Sequence, residues 1–369
     1  MNRLVCTSCD MRYELGDPRW RCDCGGLLDV EFAARLDPAV IAARENTMWR
    51  YREAIPIGAG ALAVTLGEGF TPLREYAVAG RKVLVKEEYL NPTGSFKDRG
   101  ASVLASRMRE IGIKEAVEDS SGNAGAAVAA YCREAGVRCT VFVPVGVHAE
   151  KADRIRHYGA DLRKVRGSRE DCAREALRAA DKTYYAGHSH HPFFLQGTKT
   201  FAYEICEQLG WQAPDAVVLP VGNGTLLLGA YIGFRDLLAA GLTRRLPRLI
   251  GVQARACAPL YHAFHEAHGK AGRVSDLSPG ETIADGIAIS SPARGSQILA
   301  AVRETGGDFF AVDDLEILAA LRDVAGKGFQ IEPTAAAAIA GLARYLARGE
   351  PDSVVVTAFT GNNAAPARY

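Results

Sequence analysis

The stretch NPTGSFKDRG, Asn91–Gly100, sets a lysine, Lys97, behind Phe96 and a run of turn-forming residues. Asn-Pro and Thr-Gly punctuate a loop, and Ser95 is placed to cap the helix that SFKDRGASVLASRMREIG begins. A lysine in that first turn opposes the helix dipole, so helix stability does not recommend it. Two readings follow. One is a solvated surface lysine, the ordinary fate of this residue; the other is an amine whose pKa is lowered by its site for work as a nucleophile or Schiff base. The rest of the chain has to decide.

Outward from that loop, strand-like and helix-like segments alternate. KVLVKEEY, VRCTVFVPV, LRKV, AVVLPVG, RLIGVQA and SVVVTAFTG read as strands. Between them ASVLASRMREIG, GAAVAAYCREAG, AEKADRIRHYGA, REDCAREALRAADK, LLLGAYIGFRDLLAAG, DDLEILAALRDVAGKG and TAAAAIAGLARYLARG carry helical periodicity. Strands this apolar, alternating with helices, predict an α/β fold with parallel sheets covered on both faces. No internal repeat is visible, and Ala271 to Ser296, rich in Gly, Ser and Pro, reads as loop.

The chain has 369 residues, enough for two domains. Lys plus Arg number 44 against 43 Asp plus Glu, a net charge of +1, so neither nucleic acid nor an anionic membrane is an expected partner. The start MNRLVCTSCD lacks the apolar core of a signal peptide, no apolar run is of membrane length, and a cytoplasmic protein is expected. Cys132, Cys139, Cys172, Cys206 and Cys257 are scattered like small apolar residues. Cys6, Cys9, Cys22 and Cys24 instead form C-x-x-C, a spacer, then C-x-C-G-G, which predicts a zinc-ribbon-like module over residues 1–30. The second pair has one residue between its cysteines, where zinc ribbons usually have two or more. Four thiolates would leave no open position, so such a metal would be structural.

Two further turns bear on Lys97. SSGNAG, from Ser120 to Gly125, precedes the alanine-rich helix and offers hydroxyls, an amide and backbone N–H groups at a helix start, which suits a carboxylate. GNGT, Gly222, Asn223, Gly224 and Thr225, lies between a strand and a helix, where glycines admit a phosphate to the N-terminal dipole. Each alone reads as a plain strand-to-helix turn. Together, a reactive lysine, an asparagine-bearing turn and a phosphate cradle are what pyridoxal phosphate requires. Thr360, in FTGNN, adds a hydroxyl for the pyridine nitrogen. Such a neutral partner suits elimination and replacement better than transamination.

With these pieces in place, the chain resembles threonine synthases and their relatives among the fold type II pyridoxal phosphate enzymes, over nearly its whole length. The matching segments occur in family order: CTSC with CDCGGLLDV, LGEGFTPL, NPTGSFKDRG, SSGNAG, LQGTKTFAYEICEQLGW, PDAVVLPVGNG, LIGVQA, GFQIEPTAAAAIAGL and VVVTAFTG. The resemblance implies a tryptophan synthase β-like architecture of two parallel-sheet α/β domains with the cofactor in the cleft between them, behind the cysteine module. The small domain would run over 86–185 and the large one over 31–85 and 186–369, in a homodimer. It makes Lys97 the Schiff-base lysine and the base for the Cα proton, with Phe96 beside it. It gives Asn123 the ring hydroxyl, Gly222, Asn223, Gly224 and Thr225 the phosphate, and Thr360 the ring nitrogen. Ser120, Ser121 and Gly122 would receive the carboxylate of a small amino-acid substrate, and Glu332 would lie near the cofactor, though it also reads as a plain helix start before Pro333.

The departures cluster around the substrate's distal group. Threonine synthases usually carry a segment like NSxNPxRLEGQKT, whose Asn, Ser and Arg hold the phosphate of O-phosphohomoserine. This chain reads HSHHPFFLQGTKT from His188 to Thr200, keeping Ser189 and Pro192 but placing His188 at the asparagine and Phe194 at the arginine. Arginine grips phosphate with two charged hydrogen bonds; phenylalanine gives none. Ala124 stands where threonine is frequent, and TGNNAAPARY replaces TGHGLKD. The expected enzyme is therefore a threonine synthase-like lyase acting on a β- or γ-substituted L-amino acid without phosphate there. Its rivals are threonine synthase proper, a serine or threonine dehydratase, a binding protein that keeps the cofactor without turnover, and a nucleotide binder. His188, His190 and His191 could suggest a metal, but a substrate-facing His188 is the preferred reading.

Overall fold

The computed structural model describes residues 2–266, 280–348 and 353–362. Of the expected loop over 271–296, residues 271–279 lie outside them, as does the departing tail from Asn363 onward; the described part is mostly loop, with a helical turn at Asp285–Ile287 and a helix starting at Gly295. Two compact units emerge, one from Met1–Phe70 with Asn91–Thr200, the other from Thr71–Leu90 with Phe201–Ala364. The sequence expectation drew these boundaries at Lys86 and Tyr185 and gave residues 31–70 to the larger domain. Packing groups them differently: Met48 and Ile55 share a core cluster with Val103 and Phe193, and Val64 packs with Ala101, Leu104 and Met108.

In the first unit, a parallel four-stranded sheet runs in the order Asp161–Val165, Arg138–Pro144, Glu115–Glu118, Tyr184–Tyr185. Its core joins Val141 and Val143 to Leu104, Met108 and the alanine face of the helix Asn123–Ala135. That helix stops at Gly136, whose φ of +69° is the left-handed C-terminal position that glycine fills without strain. A separate antiparallel sheet sets Arg3–Cys6 between Arg12–Glu14 and Leu28–Glu31. These short strands carry Cys6 and flank the two knuckles.

The second unit is built on six strands in the order Asp308–Val312, Arg248–Ala254, Ala216–Pro220, Val355–Ala358, Arg81–Lys86, Leu73–Val78. Neighbours are parallel except the last pair, an antiparallel hairpin. The expectation of purely parallel sheets is thus corrected at this edge. Leu73–Val78 alternates exposed and buried residues, the mark of a strand with one face in water. Ala216–Val218 and Val355–Val356 are buried, as central parallel strands require. One charged pair is buried with them: Lys86 Nζ lies 2.9 Å from Glu204 Oε2, both side chains fully enclosed, with Gln208 Oε1 at 2.8 Å. Second contacts of this kind are what allow an ion pair to sit in low dielectric.

Candidate active-site residues and cysteine centre

In the first unit, the loop Asn91–Phe96 feeds straight into the helix Lys97–Glu110. Phe96 sits at the N-cap position without a capping side chain, and Ser95 Oγ accepts the Lys97 N–H at 3.3 Å. Lys97 is half-buried, its Nζ 4.8 Å from the centre of the Phe96 ring and 5.8 Å from that of Phe194. The next residue, Asp98, is fully buried and accepts from Thr93 N at 2.9 Å and Thr93 Oγ1 at 2.7 Å. Burial pushes its carboxyl up to about 7, against the pull of those two bonds.

The turn Ser120–Gly122 leads into the helix that Asn123 begins, with Gly122 at its N-cap and Ser120 Oγ accepting the Gly122 N–H at 3.3 Å. Asn123 Oδ1 accepts from Arg154 Nη1 at 3.1 Å, and the same guanidinium donates to the Thr93 carbonyl. Arg154 thereby ties the asparagine turn to the loop before Lys97 and sets the orientation of the amide.

The three histidines each meet a different partner. His188 Nδ1 lies 2.9 Å from Glu118 Oε1, His190 Nδ1 lies 3.1 Å from Ser189 Oγ, and His191 Nε2 lies 2.6 Å from the Tyr184 hydroxyl. His191 also caps the helix Pro192–Thr198, its side chain accepting the Phe193 N–H. Phe194 is fully buried in the alanine-rich core, where a Cβ on Gly100 would come within 2.3 Å of its ring. The His188 and Phe194 ring centres are 5.8 Å apart. Nothing local in the sequence marks Glu118 or Arg154 as site residues. Glu118 reads as an acid closing a short apolar strand; Arg154 reads as any helix-surface arginine.

In the second unit, Gly222–Thr225 joins the strand Ala216–Pro220 to the helix Thr225–Ala239. Gly224 caps that helix with φ +71°, which an L side chain adopts only under strain. At Gly222 a Cβ would lie 2.8 Å from the Gly286 carbonyl, so a larger residue would close the cradle. Thr225 is buried and Asn223 half-buried. Thr360 follows the strand Val355–Ala358, and its buried Oγ1 has no hydrogen-bond partner among the described residues. An unpartnered buried hydroxyl is costly unless a ligand completes it. Glu332 lies beside that strand end, its N–H donating to the Gly361 carbonyl at 3.0 Å. A glycine-lined helix start and an orphaned hydroxyl fit the phosphate and ring nitrogen of pyridoxal phosphate.

At the cysteine module, the four Sγ atoms of Cys6, Cys9, Cys22 and Cys24 all lie within 4.8 Å of one another. Cys6 and Cys24 are 3.5 Å apart and Cys9 and Cys22 3.6 Å, close to the edge of a thiolate tetrahedron around one metal. Tyr13 Oη lies 2.9 Å from Cys22 Sγ, and this hydrogen bond brings that thiol down to about 6. Among the described residues, these cysteines are the group of potential metal ligands that comes together.

Residues 64–361 match the family described as pyridoxal-phosphate dependent enzyme. Threonine synthase of Methanocaldococcus jannaschii is 36% identical over 97% of this chain and 91% of that protein. The Mycobacterium tuberculosis threonine synthase is 38% identical over 88% of each. Among solved structures, a threonine deaminase from Solanum lycopersicum aligns with a TM-score of 0.69 at 26% identity, covering 80% of this chain and 79% of that one. A fungal L-serine ammonia-lyase from Rhizomucor miehei gives 0.69 at 25% identity, covering 79% and 93%.

Proposed function

Because the chain belongs to the pyridoxal-phosphate dependent enzymes and is threonine synthase-like over nearly its whole length, we propose that it is a lyase or replacement enzyme for a small β- or γ-substituted L-amino acid. The observation that carries the reading is the match to threonine synthases across 97% of the chain. When bound, pyridoxal phosphate supplies the electron sink that makes a substrate Cα–H acidic. Lys97 would hold the cofactor and would take the substrate's Cα proton, with Phe96 against its side chain. Asn123, oriented by Arg154, would donate to the ring oxygen. Ser120, Ser121 and Gly122 receive the substrate carboxylate. Gly222, Asn223, Gly224 and Thr225 would hold the phosphate, Thr360 would give its hydroxyl to the ring nitrogen, and Glu332 would border that end. A cytoplasmic homodimer belongs to the same proposal. We further propose that the cysteine module holds a structural zinc.

At the distal group, Phe194 is a core ring and His188 is bonded to an acid, so neither offers a permanent positive charge. This favours a substrate without phosphate there. A second reading, conversion of O-phosphohomoserine to threonine, is favoured by the names of the relatives. The test is to follow the visible absorbance of the cofactor-loaded protein while O-phosphohomoserine is added and free phosphate is assayed. A cofactor band that Lys97→Ala abolishes, without steady phosphate release, supports the first reading. Steady release with threonine formation establishes the second.

A further inference from the structure

Glu118 ends the strand before the asparagine-bearing turn, and its carboxyl is fully buried. It meets residue 188 twice: Oε1 lies 2.9 Å from His188 Nδ1, and Oε2 accepts the His188 backbone N–H at 3.3 Å. The charged and titratable groups around this pair are Asp119 and Cys139 beside Glu118, Lys97 and His190 beside His188, and Arg169 near both. Burial, then Asp119, pushes Glu118 well above the carboxylate range. Burial, then Lys97, pulls His188 well below its ordinary 6.5. Both shifts favour the uncharged forms, a protonated Glu118 facing a neutral imidazole.

With Glu118 protonated, the two contacts assign where its hydrogen sits. A carboxylic acid has one donating and one purely accepting oxygen. Oε2 faces a backbone N–H, so an acid hydrogen there would set donor against donor. The hydrogen therefore sits on Oε1 and points at Nδ1, which leaves the imidazole hydrogen on Nε2. The Phe194 ring borders both the imidazole and the Lys97 amine, each 5.8 Å from its centre.

We propose that Glu118 is a positioning residue: through its two bonds to residue 188 it fixes His188 as an uncharged ring with its hydrogen on Nε2, so the site near Lys97 receives an uncharged acceptor, such as an ester oxygen on the substrate side chain, in preference to a phosphate dianion. This rests on the reading of Lys97 as the reacting amine. It adds the residue that sets the specificity and the form in which His188 acts.

The test is long-range proton–nitrogen NMR of the cofactor-loaded protein labelled in histidine, with His188 identified by its loss in His188→Gln. In the wild type the Nε2–H neutral pattern is expected from about pH 5 to about pH 8, where an ordinary histidine would titrate. Glu118→Gln keeps one donor and one acceptor, and the pattern should persist. Glu118→Ala should give mixed tautomers and a titration near the ordinary value. In parallel, the preference for O-acetylhomoserine over O-phosphohomoserine, read from changes in the absorbance spectrum, should fall about tenfold in Glu118→Ala and hold in Glu118→Gln. A protonated His188 at neutral pH, an Nδ1–H tautomer, or Glu118→Gln behaving like Glu118→Ala would overturn the proposal. So would an unchanged ester preference in Glu118→Ala. Should no cofactor band form and neither ester bind, the reading of Lys97 fails, while the NMR pattern still reports separately on Glu118.

Discussion

Asp98 shows what a single residue does to stability here. Its pKa is raised from 3.8 to about 7 by burial, so between those values the folded chain keeps a proton that the unfolded chain has lost. Stability is therefore highest below the lower value and falls as pH rises through the window, by about 4 kcal/mol in all. Asp98→Asn should flatten the pH dependence of the urea midpoint between about pH 4 and about pH 7; an unchanged slope would remove Asp98 as its source. At this scale the sequence was legible where chemistry is local. Lys97 stood out because it opens a helix against the dipole, and Thr360 because its neighbours carry a recognisable pattern. Glu118 and Arg154 did not, since their partners lie 70 and 31 residues away and no local rule joins them.

Among elements, legibility followed burial. RLIGVQA is a strand over the residues read for it, because a doubly covered strand has a mostly apolar run, here Leu249–Val252. Asp308–Val312 escaped notice as five residues on the sheet edge, and Leu73–Val78 because its polar face interrupts the apolar run. The three strands of the cysteine module are too short to bury much of their own, and their cluster leans on Met48, Val103 and Phe193. A bound metal would then supply much of the module's order. The purified protein should contain a single zinc per chain at the four-thiol site. Cys9→Ser with Cys24→Ser, or a strong chelator, should remove it and open the segment between Cys9 and Cys22 to limited proteolysis. Metal-free protein that resists cleavage equally well would refute the zinc assignment.

For the molecule as a whole, no helix among the described residues is long and apolar enough to cross a membrane. The alternation of strands and helices was readable from periodicity, but the partition into units was not, because it depends on which distant segments share a core. In the second unit Leu84 pairs with Val356 at the centre of the sheet. A chain cut before Val355 would leave the edges of Ala216–Pro220 and Arg81–Lys86 unpaired, and it should accumulate in the insoluble fraction while the full chain stays soluble. Soluble, cofactor-binding truncated protein would contradict this. The same pairing gives the chain a timetable on the ribosome. The hairpin Leu73–Lys86 leaves the exit tunnel early, and the first unit's sheet is complete once Tyr185 follows it. The hairpin must then wait for Val355–Ala358, so one strand edge stays unsatisfied until that strand emerges and calls for a chaperone meanwhile.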